Sequence, residues 1–295
     1  MTTSSPSTVR RISAGTRMGT VRLTVSELSR SRAFYEESLG LRGHLTPDGD
    51  VALGVGDERI LIELREDRAA PPRDPRATGL FHLAVLLPSR LDLAHALRRL
   101  ARSGWALDGA SDHLVSEALY LSDPEGNGIE IYRDRPREDW KQSEIGPEMA
   151  TLALDLRGLA DELQTASGPQ LQAPGQTTIG HVHLQVSELR EIERFYCELL
   201  GFDVTVRGYA GALFVSAGGY HHHLGLNTWH SAGSAPPPPG SLGLRSYEIL
   251  LPGEDELERV TSHLADAGIA SEPDHEHGGF RVRDPSGNAA LLRAA

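Results

Sequence analysis

Apolar and polar residues fall into one arrangement that recurs four times along the chain. Each time an alternating stretch is followed by a stretch of helical period and then by three short alternating stretches. Val21 to Val25 alternates and reads as a strand. Ser29 to Ser38 reads as a helix, capped by Ser26 or Ser29 and stopped at Gly40. Gly43 to Leu45, Val51 to Val55 and Arg59 to Leu64 read as three further strands. The order then begins again. His82 to Leu87 reads as a strand and Leu91 to Arg102 as an amphipathic helix stopped by Ser103-Gly104; three strands follow, ending at Tyr132.

The pattern returns in the second half because the sequence repeats. Gly19 to Leu41 matches Gly180 to Phe202 without a gap, Gly79 to Pro88 matches Gly243 to Pro252, and Asp123-Pro-Glu-Gly-Asn127 matches Asp284-Pro-Ser-Gly-Asn288. Unit one spans residues 18–67, unit two 78–135, unit three 178–229 and unit four 242–293. A single strand–helix–three-strand unit makes a curved sheet with one face uncovered, so it must pair with another. The fold class is therefore α+β: four βαβββ modules paired into two open barrels. The expected domains are a disordered leader (1–17), an N-terminal domain of two units (18–135), a linker with a short helix from Leu156 to Leu163 (136–177), and a C-terminal domain of two units (178–295). Ala235 to Gly240, with four successive prolines, reads as a stiff extended spacer between units three and four.

One polar residue stands out against this pattern. Leu119 to Leu121 and Ile129 to Tyr132 form a hairpin around the turn residues Asp123 to Gly128. Glu130 lies between Ile129 and Ile131, which point to the other face. Such a carboxylate either faces solvent or is held by something cationic. His82, set among Leu80, Phe81, Leu83 and Val85, is by itself a core histidine or a ligand. His181 and His183 share one face of their strand. In the run His221-His222-His223, alternation puts His222 opposite its two neighbours. Glu63 reads as a ligand or, in preference, a surface carboxylate, Glu248 as an odd carboxylate that could serve as a ligand, His275 and His277 as solvated, and Asp284 to Asn288 as turn chemistry.

Composition narrows the function. The 295-residue chain carries a formal net charge of −12, which argues against nucleic acid or an anionic membrane as partner. Its one cysteine, Cys197, excludes an internal disulfide and a cysteine-rich zinc site. The N-terminal stretch lacks the apolar core of a secretory signal, and no apolar run approaches membrane-spanning length. A cytoplasmic protein is expected. Self-association into a homo-oligomer is left open.

The Gly180-His-Val-His-Leu-Gln-Val-Ser-Glu-Leu189 opening, Phe195-Tyr196 with Leu200-Gly201-Phe202, and the Asp-Pro-x-Gly-Asn hairpins resemble the vicinal oxygen chelate superfamily. This superfamily comprises the glyoxalases, the bleomycin- and fosfomycin-resistance proteins and the extradiol ring-cleaving dioxygenases. Ser216 to Trp229 and Ser116 to Glu130 are most similar to the two-domain bacterial catechol 2,3-dioxygenase-like proteins. That resemblance implies an Fe(II) site of two histidines and a glutamate, open on one side for a small aromatic diol and dioxygen. The family's first histidine position holds Thr20 in unit one and His181 in unit three. Its second holds His82 in unit two and Ser246 in unit four, and its glutamate position holds Glu130 in unit two and Leu291 in unit four.

Neither half supplies a complete set, yet units two and three together supply His82, Glu130 and His181. The resemblance further implies His222 as the base that trades protons with substrate. It implies Tyr120 and His113 as hydrogen-bond partners of the substrate oxygen. Pairing of unit two with unit three would assemble this site; pairing of one with two and three with four would leave two partial sites. The resemblance also admits a glyoxalase-like isomerase or transferase using Mn(II), Ni(II) or Zn(II), or a metal-free protein that binds small aromatics.

Overall fold

The computed structural model describes residues 11–56, 59–166 and 168–295, so residues 1–10 of the expected leader lie outside it. Unit one supplies β1 (Arg17–Val25), α1 (Leu28–Glu37), β2 (Arg42–Leu45), β3 (Val51–Val55) and β4 (Arg59–Glu66). Unit two supplies β5 (Gly79–Leu87), α2 (Arg90–Ser103), β6 (Gly109–Asp112), β7 (Ser116–Ser122) and β8 (Gly128–Asp134). The connector adds β9 (Leu152–Ala153) and α3 (Leu156–Asp161). Unit three follows with β10 (Thr178–Gln185), α4 (Leu189–Glu193, continued by a π-helical turn over Arg194–Leu199), β11 (Asp203–Val206), β12 (Ala212–Ser216) and β13 (Leu224–Asn227). Unit four closes the chain with β14 (Gly243–Leu251), α5 (Glu254–Asp266), β15 (Glu272–Pro273), β16 (Phe280–Arg283) and β17 (Ala289–Ala294).

The strands form two mixed sheets. One runs β15-β16-β17-β14-β1-β4-β3-β2 and joins units four and one. The other runs β11-β12-β13-β10-β5-β8-β7-β6-β9 and joins units three and two. Each sheet therefore takes one unit from each half of the chain, so the halves 18–135 and 178–295 divide the sequence but not the sheets. At each centre the first strands of two units lie antiparallel, β1 against β14 and β10 against β5. Within a unit the first strand lies parallel to the last, as in β5 with β8. Period-2 alternation sorts the residues: Val21, Leu23 and Val25 of β1 join Phe34 and Tyr35 of α1 in the apolar core, and polar residues are left for the concave faces.

Local expectations were corrected where tertiary contacts intervened. Residues 11–17 are not a free leader: Ile12 is buried, its N–H donates to the Gly201 carbonyl at 2.9 Å, and Arg17 opens β1. Neither Ser26 nor Ser29 caps α1. Glu27 occupies the cap position without a side-chain bond, Glu66 of β4 accepts the Leu28 N–H at 3.0 Å, and the Ser26 hydroxyl turns to Glu125 at 2.7 Å. The connector helix ends at Asp161 and tightens into a 3₁₀ turn, Glu162–Thr165. Among the described residues no helix is long and apolar enough to cross a membrane.

The Asp-Pro-x-Gly-Asn hairpins are more than turns. Tyr35 of α1 donates its hydroxyl to Asp123 at 2.8 Å, and Tyr196 donates to Asp284 at 3.0 Å. Both bonds are buried, and each ties a unit in one sheet to a unit in the other. Both carboxylates also accept from the asparagine that closes their hairpin, Asn127 and Asn288. Removing a phenolic donor leaves a buried carboxylate short of a partner, which costs about 1–3 kcal/mol. Tyr35→Phe and Tyr196→Phe should each lower the unfolding free energy by that amount in urea denaturation. An unchanged midpoint in both would show that the latches contribute nothing.

Candidate metal centre and active site

The antiparallel register of β10 on β5 sets His183 opposite His82 and His181 opposite Ala84. The parallel register of β8 on β5 sets Glu130 opposite Ala84 from the other side. Ala84 is thus flanked by His181 and Glu130, with His82 two residues away on the same face. Its single methyl leaves room for the three longer side chains to converge. His82 Nε2 lies 3.1 Å from Glu130 Oε2, His181 Nε2 lies 3.0 Å from the same oxygen, and the two imidazole nitrogens are 3.3 Å apart. All three residues are buried. Glu130 is accordingly not the solvent-facing carboxylate that alternation alone allowed.

This triangle fits a metal ion better than protons. Were both Nε2 atoms protonated to serve the one carboxylate oxygen, two N–H donors would face each other at 3.3 Å. Three donors held about 2.1 Å from one ion, at right angles to one another, would be about 3 Å apart. Two imidazoles and a carboxylate on one face of an ion leave the opposite face open. Electrostatics agree: burial pushes His181 down to about 4 despite Glu130 beside it, so the imidazole is neutral. Burial opposes the charge on Glu130, but His181 and His82 outweigh it and hold the carboxyl well below its ordinary range. The far nitrogen of His181, Nδ1, is buried without a hydrogen-bond partner among the described residues; the ring instead packs at a tilt against that of His222, centroids 4.0 Å apart.

His222 lies in the connection that precedes β13 rather than on a strand, so alternation does not govern its neighbours. His221 Nε2 meets Asp134 Oδ1 at 2.9 Å, and His221 Nδ1 meets His222 Nδ1 at 2.8 Å. A carboxylate only accepts, so His221 carries a proton on Nε2. With the His221 Nδ1 lone pair turned to His222, His222 donates from Nδ1 and keeps its Nε2 lone pair free. Burial, with His181 and His221 adding to it, pushes the His222 pKa well below its ordinary value. Tyr120 pairs with Glu130 in register. Its hydroxyl lies 2.7 Å from His113 Nε2, while His113 Nδ1 lies 2.7 Å from the Ala150 carbonyl. The carbonyl only accepts, so His113 donates at Nδ1, and its Nε2 meets the Tyr120 hydroxyl. Burial, then Glu130, push the Tyr120 pKa well above its ordinary value.

A cavity of 230 Å³ opens on these groups and is walled by Phe81, Met149, Tyr209, Phe214 and Trp229. His183 lines it as well, edge-on to Phe81 at 5.0 Å, outside the triangle. Gly225 makes room for that ring, since a Cβ there would sit 2.7 Å from it. Asp134 and His221 were missed in the sequence. Asp134 shares a strand face with Glu130, four residues on, but its bond to His221 spans 87 residues, which no local pattern reports.

Among the described residues the other barrel has no second pair of imidazoles on a carboxylate; there Glu63, Glu276 and His277 bring two carboxylates and one imidazole within 4.8 Å of one another. Glu63, expected at the surface, is buried and meets Arg245 at 3.2 Å, Arg22 at 3.5 Å and His277 at 3.4 Å. His277 is not solvated but held between Glu63 and Asp274. Glu248 is buried on Arg22 at 2.7 Å and Arg293 at 2.9 Å.

The chain belongs to the glyoxalase/bleomycin resistance protein/dioxygenase superfamily, whose model matches residues 17–131 and again 178–291. It is 44% identical over 280 residues to a catechol-2,3-dioxygenase of Bacillus subtilis (strain 168), covering 94% of this chain and 96% of that protein. Solved structures share the fold. A candidate dioxygenase from Bacillus subtilis subsp. subtilis str. 168 superposes with a TM-score of 0.65 at 12% identity, over 97% of this chain and 86% of that one. Glyoxalase I from Zea mays gives 0.56 at 15% identity, over 94% and 92%.

Two predictions arise from the site. Ala84→Leu should fill the space between His181 and Glu130 and lower metal affinity by roughly 100-fold with every ligand intact, read by metal titration; unchanged affinity would show that the gap is not where an ion sits. The second concerns His223, which accepts the Ala217 N–H at Nδ1, 3.1 Å, and is buried. Burial, then His221 and His181, push it from 6.5 down to about 3. A depressed pKa means that the unfolded chain takes up the proton first. The stability from neutral His223 is therefore present above pH 6.5 and is lost as pH falls toward 3, with a slope of about 1.4 kcal/mol per pH unit. His223→Gln should flatten the pH dependence of unfolding by about one proton across that window; an unaltered slope would count against a neutral His223.

Proposed function

We propose that this protein is a metal-dependent extradiol dioxygenase that opens the ring of a small catechol beside its two hydroxyls. The observation that carries the reading is the convergence of His82, His181 and Glu130, of which His82 and Glu130 line an aromatic-walled cavity. The ion these residues would hold, Fe(II), supplies Lewis acidity that lowers the catechol hydroxyl pKa and open positions for diol and dioxygen.

The chain's own residues do the rest. His222 presents an unprotonated Nε2 and accepts a proton from the diol, returning it later to the leaving oxygen. Asp134, through His221, holds His222 in the tautomer that makes this possible. Tyr120, backed by His113, is placed to hydrogen-bond the substrate oxygen or the anion that develops on it. Phe81, Phe214 and Trp229 exclude water and flank a flat ring. No lysine or arginine lines the cavity, and 230 Å³ is smaller than a drug-sized pocket. Both features favour a single-ring, uncharged catechol. Cys197 is half-buried, its thiol pushed up to about 12 by burial; an inert free thiol suits the reducing cytoplasm, to which we assign the protein.

Replacing His82 or His181 with alanine should remove bound iron and lower formation of yellow ring-fission product by about 10³-fold or more, measured with oxygen uptake. Retained activity would refute the triad. Activity restored by Mn(II), Ni(II) or Zn(II) but not by Fe(II) would refute iron. Asp134→Asn should keep the metal and lower kcat by about 10²-fold with little change in KM, because the His222 tautomer is no longer fixed; an unchanged kcat would remove Asp134 and His221 from the mechanism.

A further inference from the structure

A second, larger cavity of 960 Å³ lies between the barrel of units four and one and the facing part of the other barrel, which contributes Leu86, Ile179, Tyr220 and His223. Thr20, Ser246 and Leu291 stand where the other barrel has His181, His82 and Glu130, so the His-His-Glu set is not repeated; Glu63 and His277, which line this cavity, converge instead with Glu276. Arg22, Arg293, Glu63 and Glu248 on its wall belong to a network of alternating charge that continues behind it. Arg22 and Arg293 share Glu248, Arg245 bridges Glu63 and Asp50, and Arg65 joins Asp50 to Glu276. Four guanidinium groups against four carboxylates leave this network neutral.

Three further arginines line the same cavity: Arg17, Arg59 and Arg137. None of them reaches a carboxylate among the described residues. Arg59 bonds only the backbone carbonyls of Gly175 and Thr177, and Arg137 lies over the rings of Trp140 and Tyr220. In a chain of net charge −12, this concavity therefore carries positive charge that no carboxylate among the described residues offsets. Below the rim, Arg22 is 3% exposed and its Nη1 has no hydrogen-bond partner. The hydroxyl of Thr16, which also lines the cavity and is 2% exposed, is likewise unpartnered. Buried donors are rarely left unpaired, and each one costs stability unless a ligand or water meets it. The remaining wall is apolar, from Met18, Leu61, Ile179 and Leu250.

We propose that this cavity is a second ligand site, separate from the metal centre, that takes a small organic carboxylate. The anionic head lies toward Arg22 and the rim arginines, and an apolar body lies along Met18, Leu61, Ile179 and Leu250. Guanidinium groups bind carboxylates through charge-assisted, often bidentate hydrogen bonds, and an apolar wall has no use for a bare inorganic anion.

The test is calorimetric titration of the full-length protein with benzoate, benzyl alcohol and inorganic phosphate. Benzoate is expected to bind with a dissociation constant below about 1 mM and the neutral alcohol at least tenfold more weakly. Because benzoate could also enter the aromatic cavity, the rim decides. The exposed pair Arg59→Gln and Arg137→Gln, combined in one variant, should weaken benzoate by about tenfold or more while catechol turnover stays unchanged. Arg22→Lys, which keeps the charge beside Glu248, should weaken it further. Undiminished benzoate affinity in the rim variant would overturn the proposal, as would no benzoate binding at all. Phosphate bound as tightly as benzoate would overturn the organic ligand class.

Discussion

Everything at the metal centre depends on one antiparallel seam, β10 lying against β5. The two strands are about a hundred residues apart in the chain. Their ladder fixes which of their residues stand opposite one another, and a slip of one residue would send every inward side chain to the helix face. With the seam in register, His181 arrives beside Ala84, His82 beside His183, and β8 follows to bring Glu130 to the same spot. A buried carboxylate and two buried neutral imidazoles are costly to assemble without a cation. The apolar faces on the other side of both strands supply the driving force that holds them there.

The second seam, β1 against β14, repeats this geometry with different chemistry. The internal repeat keeps strand order, helix and hairpin, while the inward positions differ. Where one barrel converges imidazoles on a carboxylate, the other carries arginines, glutamates and a histidine in a chain of ion pairs. Buried ion pairs of this kind seldom add net stability over apolar packing, but they do fix which partners meet. The Tyr35–Asp123 and Tyr196–Asp284 bonds make the exchange of units coherent. Each links the two sheets within one half of the sequence, while each seam links the two halves within one sheet.

The chain's order thus runs across the molecule in both directions, and this explains which residues were readable beforehand. Strand and helix positions were legible because alternation and helical period are local signals, and bounds shifted by only a few residues. Glu63 was misjudged because a charged side chain between apolar neighbours looks the same whether its face meets water or Arg22 and Arg245; His277 was misjudged because a histidine in a charged loop looks solvated until Glu63 and Asp274 close on it. The capping of α1 was misassigned because Glu66, which takes the first N–H, comes from another strand. His221 and Asp134 were missed because their bond forms only after the β10–β5 seam closes.

By itself the sequence determined four modules, their internal strand order, the absence of a disulfide or helical membrane span, and, through the repeat and its family resemblance, three candidate ligands. It left open which module pairs with which, since either pairing buries the same apolar faces and the connector is long enough for both. Only the tertiary structure decided that units two and three share one sheet and units one and four the other. The reason is physical: periodicity along a chain encodes which face of an element is apolar, whereas the choice of partner for that face depends on complementarity between residues far apart in sequence.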